Sequence, residues 1–198
     1  MFHALRWSRL LVLLGCVILA ACNAERPGAK FELTDVTGAP WGKKLELTDH
    51  NGQRRTLADF KGKVVVVFFG FTHCPDACPT TLSELATVAK ELGPDADRLQ
   101  VLLVTVDPER DKPELLKQYV PSFNPAFLGL YGTPEQTTAA AKEFKVYFQK
   151  QPQPSGSYTM DHSAGTFVLD KTGTLRLFGQ YGAGAKPLLH DIKQLLKE

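Results

Sequence analysis

The pattern of apolar and polar residues along the chain predicts alternating strands and helices. Residues 64–69 are six consecutive β-branched or aromatic residues, which indicates a central strand covered on both faces, and residues 101–106 indicate a second buried strand. Between them, apolar residues recur at helical spacing over residues 79–92 and stop at Gly93-Pro94. A helix between two buried strands favours a parallel arrangement of those strands.

The rest of the pattern predicts further helices and two antiparallel hairpins. Residues 45–48 alternate apolar and polar, and the turn chemistry of residues 49–52 predicts an N-terminal β-hairpin. Two more helices that open with proline are predicted at residues 113–120 and 134–145, with a weak strand between them at residues 127–130. A second hairpin is predicted at residues 166–169 and 174–178, and an amphipathic helix at residues 186–197 closes the chain. Residues 149–157 are rich in turn formers and predict a loop. The fold class is therefore α/β, with a mixed central sheet flanked by helices.

The N-terminus has the pattern of a secretory signal. Residues 1–9 carry Arg6 and Arg9 and no acidic residue, and residues 10–21 are an apolar run too short to cross a ~30 Å hydrocarbon core as a helix. The run ends in Leu-Ala-Ala-Cys, which resembles the bacterial lipobox, in which the cysteine becomes the lipidated first residue of the mature protein. The alternative is a plain secretory signal followed by a chance cysteine. We predict a lipoprotein signal peptide over residues 1–21 and lipidation at Cys22.

Composition and charge limit the classes of protein that remain. The 198 residues are enough for one domain of ordinary size. The formal charge of +2 falls to zero when the signal peptide leaves, so there is no basic excess for nucleic acid or for an anionic membrane. We predict a flexible tether over residues 22–30 and one domain over residues 31–198. Two acyl signals anchor a protein stably, so we place it in the bacterial cell envelope, at the membrane, with the domain in the periplasm.

Two cysteines remain for chemistry once Cys16 is cleaved away and Cys22 is lipidated. Cys74 and Cys78 follow the end of the strongest predicted strand, where open α/β sheets place their ligands. We expect the helix to begin at Pro79 with Cys78 at its cap, because proline disfavours the α conformation in the residue before it. The helix dipole would then favour the thiolate, which attacks disulfides and binds metals. The alternative is a small structural disulfide, although so short a loop would contribute little stability.

A histidine downstream is the third candidate ligand. In thioredoxin-like folds the loop that enters the later strand faces the cysteine turn, so His162 could reach the two sulfurs from across the sheet. Two thiolates and one imidazole form a soft donor set that suits Cu(I) and leaves structural Zn²⁺ one ligand short. Asp161 is either a partner that orients His162 or a solvated loop acid. His50, His73 and His190 rank below His162 as ligands.

Three segments of the chain resemble the signature segments of Sco/SenC proteins: FFGFTHCPDACP at residues 68–79, TVDPERD at residues 105–111 and DHSA at residues 161–164. The resemblance implies a thioredoxin-like fold and a membrane-tethered copper-binding protein that helps to assemble the copper A centre in subunit II of cytochrome c oxidase. It also implies that Cys74, Cys78 and His162 bind Cu(I) or Cu(II). The sequence assigns no role to the acidic residues within residues 107–111.

Other functions remain open at this point. A thiol-disulfide oxidoreductase could reduce the cysteines of the oxidase subunit, although its usual spacing is Cys-x-x-Cys and no proline lies between Tyr158 and Thr166, where thioredoxins present one to substrate. A copper or redox sensor is another alternative, whereas only the shared fold speaks for a peroxiredoxin. Another periplasmic copper chaperone or a thiol reductant is a further candidate partner.

Overall fold

Ten strands and four α-helices follow one another in the residues that the computed structural model describes, 30–154 and 156–198. The strands are β1 (Thr34–Asp35), β2 (Glu46–Asp49), β3 (Arg54–Thr56), β4 (Val64–Gly70), β5 (Leu99–Thr105), β6 (Leu128–Tyr131), β7 (Phe148–Pro152), β8 (Tyr158–His162), β9 (Gly165–Leu169) and β10 (Leu175–Gln180). The helices are α1 (Ala77–Leu92), α2 (Pro113–Phe123), α3 (Pro134–Glu143) and α4 (Ala185–Lys197). The predicted signal peptide and Cys22 lie outside the described residues.

Eight of the strands form one mixed sheet in the order β1-β10-β9-β4-β5-β6-β2-β3. Strand β4 lies near its centre, parallel to β5 and antiparallel to β9, and all seven of its residues are buried. A strand with covered faces on both sides needs apolar residues at every position, which is why its sequence does not alternate. The predicted central strand and mixed sheet are confirmed, and so are the hairpins β2–β3 and β9–β10.

The two faces of the sheet are covered differently. Helix α1 packs against α4 and α2, and α4 also reaches β4. On the other face, the Phe69 ring lies 5.5 Å from that of Phe144 and 6.2 Å from that of Phe167, and Trp41 closes this cluster with its ring 6.1 Å from Phe167. No helix in the described part of the chain is long and apolar enough to span a membrane.

The structure corrects the sequence prediction for the segment before β9. Residues 149–157 do not form only a loop, because β7 and β8 pair there as an antiparallel hairpin that is separate from the large sheet. Most residues of β7 are exposed or half-buried, and its sequence shows no apolar alternation. Because no residue of β7 is buried, the strand has no apolar face that periodicity could reveal.

Candidate metal centre

The two cysteines lie where β4 turns into α1. The chain turns after Phe71, whose carbonyl accepts from the Cys74 N–H at 3.3 Å, and the Cys78 N–H donates to the Cys74 sulfur at 3.4 Å. Cys78 is fully buried and Cys74 is partly exposed, and both are free thiols. A Cβ atom on Gly70 would lie 2.8 Å from the Cys78 sulfur, so the last residue of β4 leaves the space that this sulfur occupies.

Helix α1 begins two residues earlier than the sequence predicted. Its first residue is Ala77 and its N-cap is Asp76, so Cys78 lies inside the first turn rather than at the cap. Pro79 is tolerated there because the first N–H groups of a helix have no intrahelical acceptor, and the ladder starts with Thr80 N–H donating to Asp76 at 3.1 Å. Both sulfurs therefore lie at the positive end of the helix dipole, as expected.

The structure brings His162 to the cysteines. It is the last residue of β8, paired with Phe148 of β7, and not a loop residue as the sequence suggested. Its Nε2 lies 3.9 Å from the Cys78 sulfur. A nitrogen of the imidazole and the two sulfurs all lie within 4.8 Å of one another, and this is the one group of three metal-ligating side chains found in the described residues.

The imidazole is oriented by its neighbours, but not by Asp161. Its Nδ1 lies 3.1 Å from the Ser163 carbonyl oxygen, and its ring meets the Phe71 ring edge to face at a centroid distance of 5.8 Å. Asp161 is exposed, and within the described residues no hydrogen bond joins it to His162. Successive residues of a strand point to opposite sides, so Asp161 is a solvated acid and does not orient His162.

The three other histidines in the described residues have partners of their own. Buried His50 accepts the Gly129 N–H on its Nδ1 at 3.0 Å, and the Nδ1 of His190 lies 2.8 Å from a carboxylate oxygen of Asp191. His73 is half exposed and contacts the hydroxyl of Thr72 at 3.0 Å. These contacts agree with the lower rank that the sequence assigned to all three.

The two thiols differ in their protonation. The hydrogen bond from the Cys78 thiol lowers the pKa of Cys74 from 9.0 to about 4, with further help from His162, against the opposing effect of burial. The same hydrogen bond and its own burial raise the pKa of Cys78. These opposite shifts favour the thiolate at Cys74 and the protonated thiol at Cys78.

The donor set fits a small soft cation. With bond lengths of about 2.3 Å to sulfur and 2.0 Å to nitrogen, as for zinc, three ligands around one ion lie roughly 3.5 to 4 Å apart. The distances in the structure are at or slightly above this range, so closing on an ion needs only small side-chain movements. Two sulfurs and one nitrogen suit copper better than structural zinc, which takes four ligands.

The segment at residues 105–111 contacts both parts of the centre, which sequence reasoning did not foresee. Asp111 is buried and accepts from the backbone N–H of Thr72, two residues before Cys74. Arg110 donates to the carbonyl of Tyr158 on β8. The only sequence signal for this was the likeness of the segment to known family sequence.

Comparison with known proteins shows the family. The sequence model described as SCO1/SenC matches residues 34–197. The human mitochondrial SCO2 homolog is 41% identical over 140 residues, which are 69% of this chain and 52% of that protein. The SCO2-like protein of Rickettsia prowazekii is 35% identical over 154 residues, 77% of this chain and 75% of the relative. The chain thus spans about half the length of its human relative.

Solved structures give the same result. The copper-bound ScoI of Bradyrhizobium japonicum is 38% identical, with a TM-score of 0.73 over 79% of this chain and 99% of that one. The apo Sco1 of Thermus thermophilus is 40% identical, with a TM-score of 0.75 over 86% of this chain and 99% of that one. The predicted thioredoxin-like fold is confirmed by these neighbours, and the chain belongs to the SCO1/SenC family.

Proposed function

We propose that this protein is a metallochaperone that binds copper through Cys74, Cys78 and His162 and delivers it to the copper A site of cytochrome c oxidase subunit II. The observation that carries the proposal is the convergence of two sulfurs and an imidazole nitrogen within 4.8 Å. Membership of a family that acts in copper delivery and oxidase assembly supports it, as do the copper-bound structures of Bradyrhizobium and yeast relatives.

The arrangement suits a metal that is cargo. Three ligands leave one direction open around the ion, and Cys74 is partly exposed, so a thiol or imidazole of a recipient could bind the copper before the donor ligands leave. Transfer of copper from this protein to the recipient would then need no free copper ion. Cys74 can coordinate as it stands, whereas Cys78 must lose its proton first, so we expect about one proton to be released for each Cu(I) bound at neutral pH.

The binding test uses reduced protein and Cu(I) in competition with a chelator. We expect one Cu(I) per chain, with His162→Ala weakening the affinity at least about tenfold, because losing a ligand should cost no less than losing an outer partner of one. His190→Ala is the matched control, because this histidine lies on α4 and contacts the Asp191 carboxylate rather than the cysteines. No Cu(I) binding, or undiminished affinity in His162→Ala, would contradict the proposal.

The delivery test needs the oxidase. Deletion of the gene should yield an oxidase whose subunit II lacks the copper A signal in its electron paramagnetic resonance spectrum. The wild-type gene should restore the signal and Cys78→Ser should not. A normal copper A signal in the deletion strain would overturn delivery to subunit II, and the loss of a stress response alone would favour a sensor.

The protonation of the thiol pair supports a second candidate, a thiol-disulfide oxidoreductase. The Cys74 thiolate would attack one sulfur of a disulfide in the oxidase subunit and release the other as a thiolate, which takes up the proton that Cys78 loses. Cys78 would then attack Cys74, so the pair is oxidised to a disulfide and the substrate is reduced to two thiols by the same two electrons. Turnover on such a disulfide that His162→Ala leaves unchanged would favour this function over copper delivery.

We also propose that the protein is a lipoprotein of the bacterial cell envelope with its domain in the periplasm. The relatives in Rickettsia support a bacterial origin, and the apolar run that ends at Cys22 supports the anchor. Labelling of cells with a radioactive fatty acid should mark the wild-type protein and not Cys22→Ser. Equal labelling of both would contradict lipidation at Cys22.

A further inference from the structure

The two parts of the metal centre belong to different sheets. Cys74 and Cys78 follow β4 of the eight-stranded sheet, whereas His162 ends β8 of the separate two-stranded hairpin. No strand pairing in the described residues joins β7 or β8 to the large sheet. Two residues, Ser163 and Ala164, join His162 to β9 of the large sheet, and the Ala164 carbonyl accepts the Tyr181 N–H at 3.2 Å. The backbone therefore anchors only this end of β8, and the direction of the rest of the hairpin depends on its side-chain contacts with the domain.

The segment after β5 holds the cysteine loop through Asp111. Asp111 accepts from the N–H of Thr72 at 3.0 Å, from the Thr72 hydroxyl and, at 2.6 Å, from the hydroxyl of Thr105. Its side chain is fully buried, so these three donors replace water. Thr105 is the last residue of β5, so Asp111 ties the cysteine loop to the neighbouring strand of the sheet.

Two other residues of the same segment, Arg110 and Asp107, hold the hairpin. The Arg110 guanidinium donates to the Tyr158 carbonyl at 2.8 Å and lies 3.8 Å from the centroid of the Tyr158 ring. Arg110 Nε also pairs with the Asp107 carboxylate, which accepts from the Tyr158 hydroxyl at 2.9 Å. Backbone, ring and hydroxyl of one hairpin residue are thus all held by two residues of this segment.

Arg110 also reaches the cysteine loop. Its guanidinium lies 5.9 Å from the Phe71 ring, which itself meets the imidazole of His162 edge to face. Tyr158, buried Met160 and His162 are alternate residues of β8 and share one face of the strand. A contact that fixes Tyr158 against the domain therefore fixes the direction in which His162 leaves the same strand.

We propose that Arg110 is a positioning residue of the copper site, which docks the β7–β8 hairpin so that His162 stays within reach of the two sulfurs. The inference rests on the proposed copper binding at this site. Arg110 touches none of the three ligand side chains through a hydrogen bond in the described residues, so it acts through Tyr158 and Phe71.

The first test measures Cu(I) affinity of Arg110→Gln by competition with a chelator. We expect a loss of about tenfold or more, as for other outer partners of metal ligands. Arg176→Gln is the matched control: Arg176 is as buried as Arg110, pairs with Asp170 and Glu198 and lies 5.7 Å from the Phe31 ring. We expect Arg176→Gln to lose stability and to keep its Cu(I) affinity.

A double-mutant cycle separates positioning from a general structural role. If Arg110 acts through the imidazole, Arg110→Gln should weaken Cu(I) binding in the wild-type background and have little further effect in His162→Ala. X-ray absorption of Cu(I)-loaded Arg110→Gln should show two sulfur donors and a reduced histidine contribution. Additive losses of affinity, or an intact histidine contribution, would overturn the inference.

A measurement without copper keeps the inference separate from the proposed function. In the metal-free protein, Arg110→Gln should speed hydrogen exchange at the amides of β8, and Arg176→Gln should not. If the wild-type protein binds no Cu(I), the proposed function fails, while this exchange result still decides whether Arg110 docks the hairpin. Unchanged exchange in β8 of Arg110→Gln would show that it does not.

Discussion

At the scale of single residues, Cys74 and Cys78 have the same chemistry and different roles. Cys78 is buried and its pKa is raised, whereas Cys74 is partly exposed, accepts a hydrogen bond from the Cys78 N–H and has a lowered pKa. A buried thiolate would need compensation that a buried thiol does not. The thiolate therefore forms at the more accessible position, where an incoming ion or disulfide meets it first.

This division predicts the pH dependence of the thiolate absorbance in the ultraviolet. The absorbance of one thiolate should be present at neutral pH and lost as the pH falls through about 4. In the unfolded chain Cys74 would hold its proton up to about pH 9, so its contribution to stability should grow with pH between these values and vanish below about 4. Cys78→Ala should raise the pKa of Cys74, because it removes the largest cause of the shift.

The variants identify the group that titrates. Cys74→Ser should abolish the absorbance at neutral pH. If this variant kept it, or if the wild-type protein titrated near pH 9, the assignment of the thiolate to Cys74 would be wrong.

Gly70 is a second residue on which the centre depends. Its missing side chain leaves room for the Cys78 sulfur and for the Phe68 ring, both of which would lie 2.8 Å from a Cβ atom there. We predict that Gly70→Ala destabilises the domain by about 1 to 3 kcal/mol through overpacking. We also expect weaker Cu(I) binding, because the sulfur must move.

Gly129→Ala is the matched control for Gly70→Ala. Its Cβ would press on Leu116 and Val120 at 3.1 to 3.3 Å, in the core beneath β6 and away from the cysteines. Chemical denaturation should show a loss of stability in both variants, with Cu(I) affinity reduced only in Gly70→Ala. Equal affinity in the two variants would contradict a specific role for Gly70.

At the scale of elements, the β7–β8 hairpin stands apart because it forms its own two-stranded sheet. A hairpin of two strands is at best marginally stable in water, and this one pairs with no other strand in the described residues. Its stability must come from docking, through buried Met160 and the contacts of Tyr158.

Hydrogen exchange should reflect this difference between elements. We predict that amides of β8 exchange faster than those of β4 and β5 in the metal-free protein, because local opening needs only undocking. Binding of Cu(I) should slow exchange in β8, since His162 would then tie the hairpin to the cysteines. Equal protection of β8 and β4 without metal, or no change in β8 on loading with Cu(I), would contradict this view.

At the scale of the whole molecule, strand β1 begins at the end of the sheet where β4 leads into the cysteine loop. In register, Phe68 of β4 faces Thr166, Thr166 faces Gly179, and the neighbouring Phe178 faces Thr34. Strand β1 begins at this end of the sheet and runs towards the opposite end.

The start of the domain is held by helix α4. Asp191 is fully buried and accepts the N–H groups of Glu32 at 3.0 Å and of Leu33 at 2.8 Å. We predict that Asp191→Ala lowers the free energy of unfolding by about 2 kcal/mol, because it leaves a buried backbone donor without a partner. Cu(I) affinity should be unchanged, since none of these contacts involves the ligands.

Asp191→Asn provides the control for that variant, because it retains one acceptor oxygen and should lose less stability. Urea denaturation and Cu(I) competition on the same samples measure both quantities. Undiminished stability in Asp191→Ala, or a loss of affinity as large as that of His162→Ala, would show that this prediction is wrong.

The sequence by itself determined most of the sheet and one half of the centre. The apolar run at residues 64–69 could only be a strand covered on both sides, because an exposed face would have required alternation. The helix behind it and the two hairpins of the large sheet followed from equally local patterns. The cysteines were found because they lie four residues apart at the end of that strand, so their proximity is a property of the local chain.

Only the tertiary structure decided how His162 meets the sulfurs. It lies 84 residues from Cys78 on a hairpin without a periodic pattern, and its place depends on the side chains of Asp107, Arg110 and Tyr158. The same holds for the start of α1 and for which sulfur carries the proton. Local patterns record how each segment is covered, whereas the distances between segments depend on long-range packing, which no local pattern encodes.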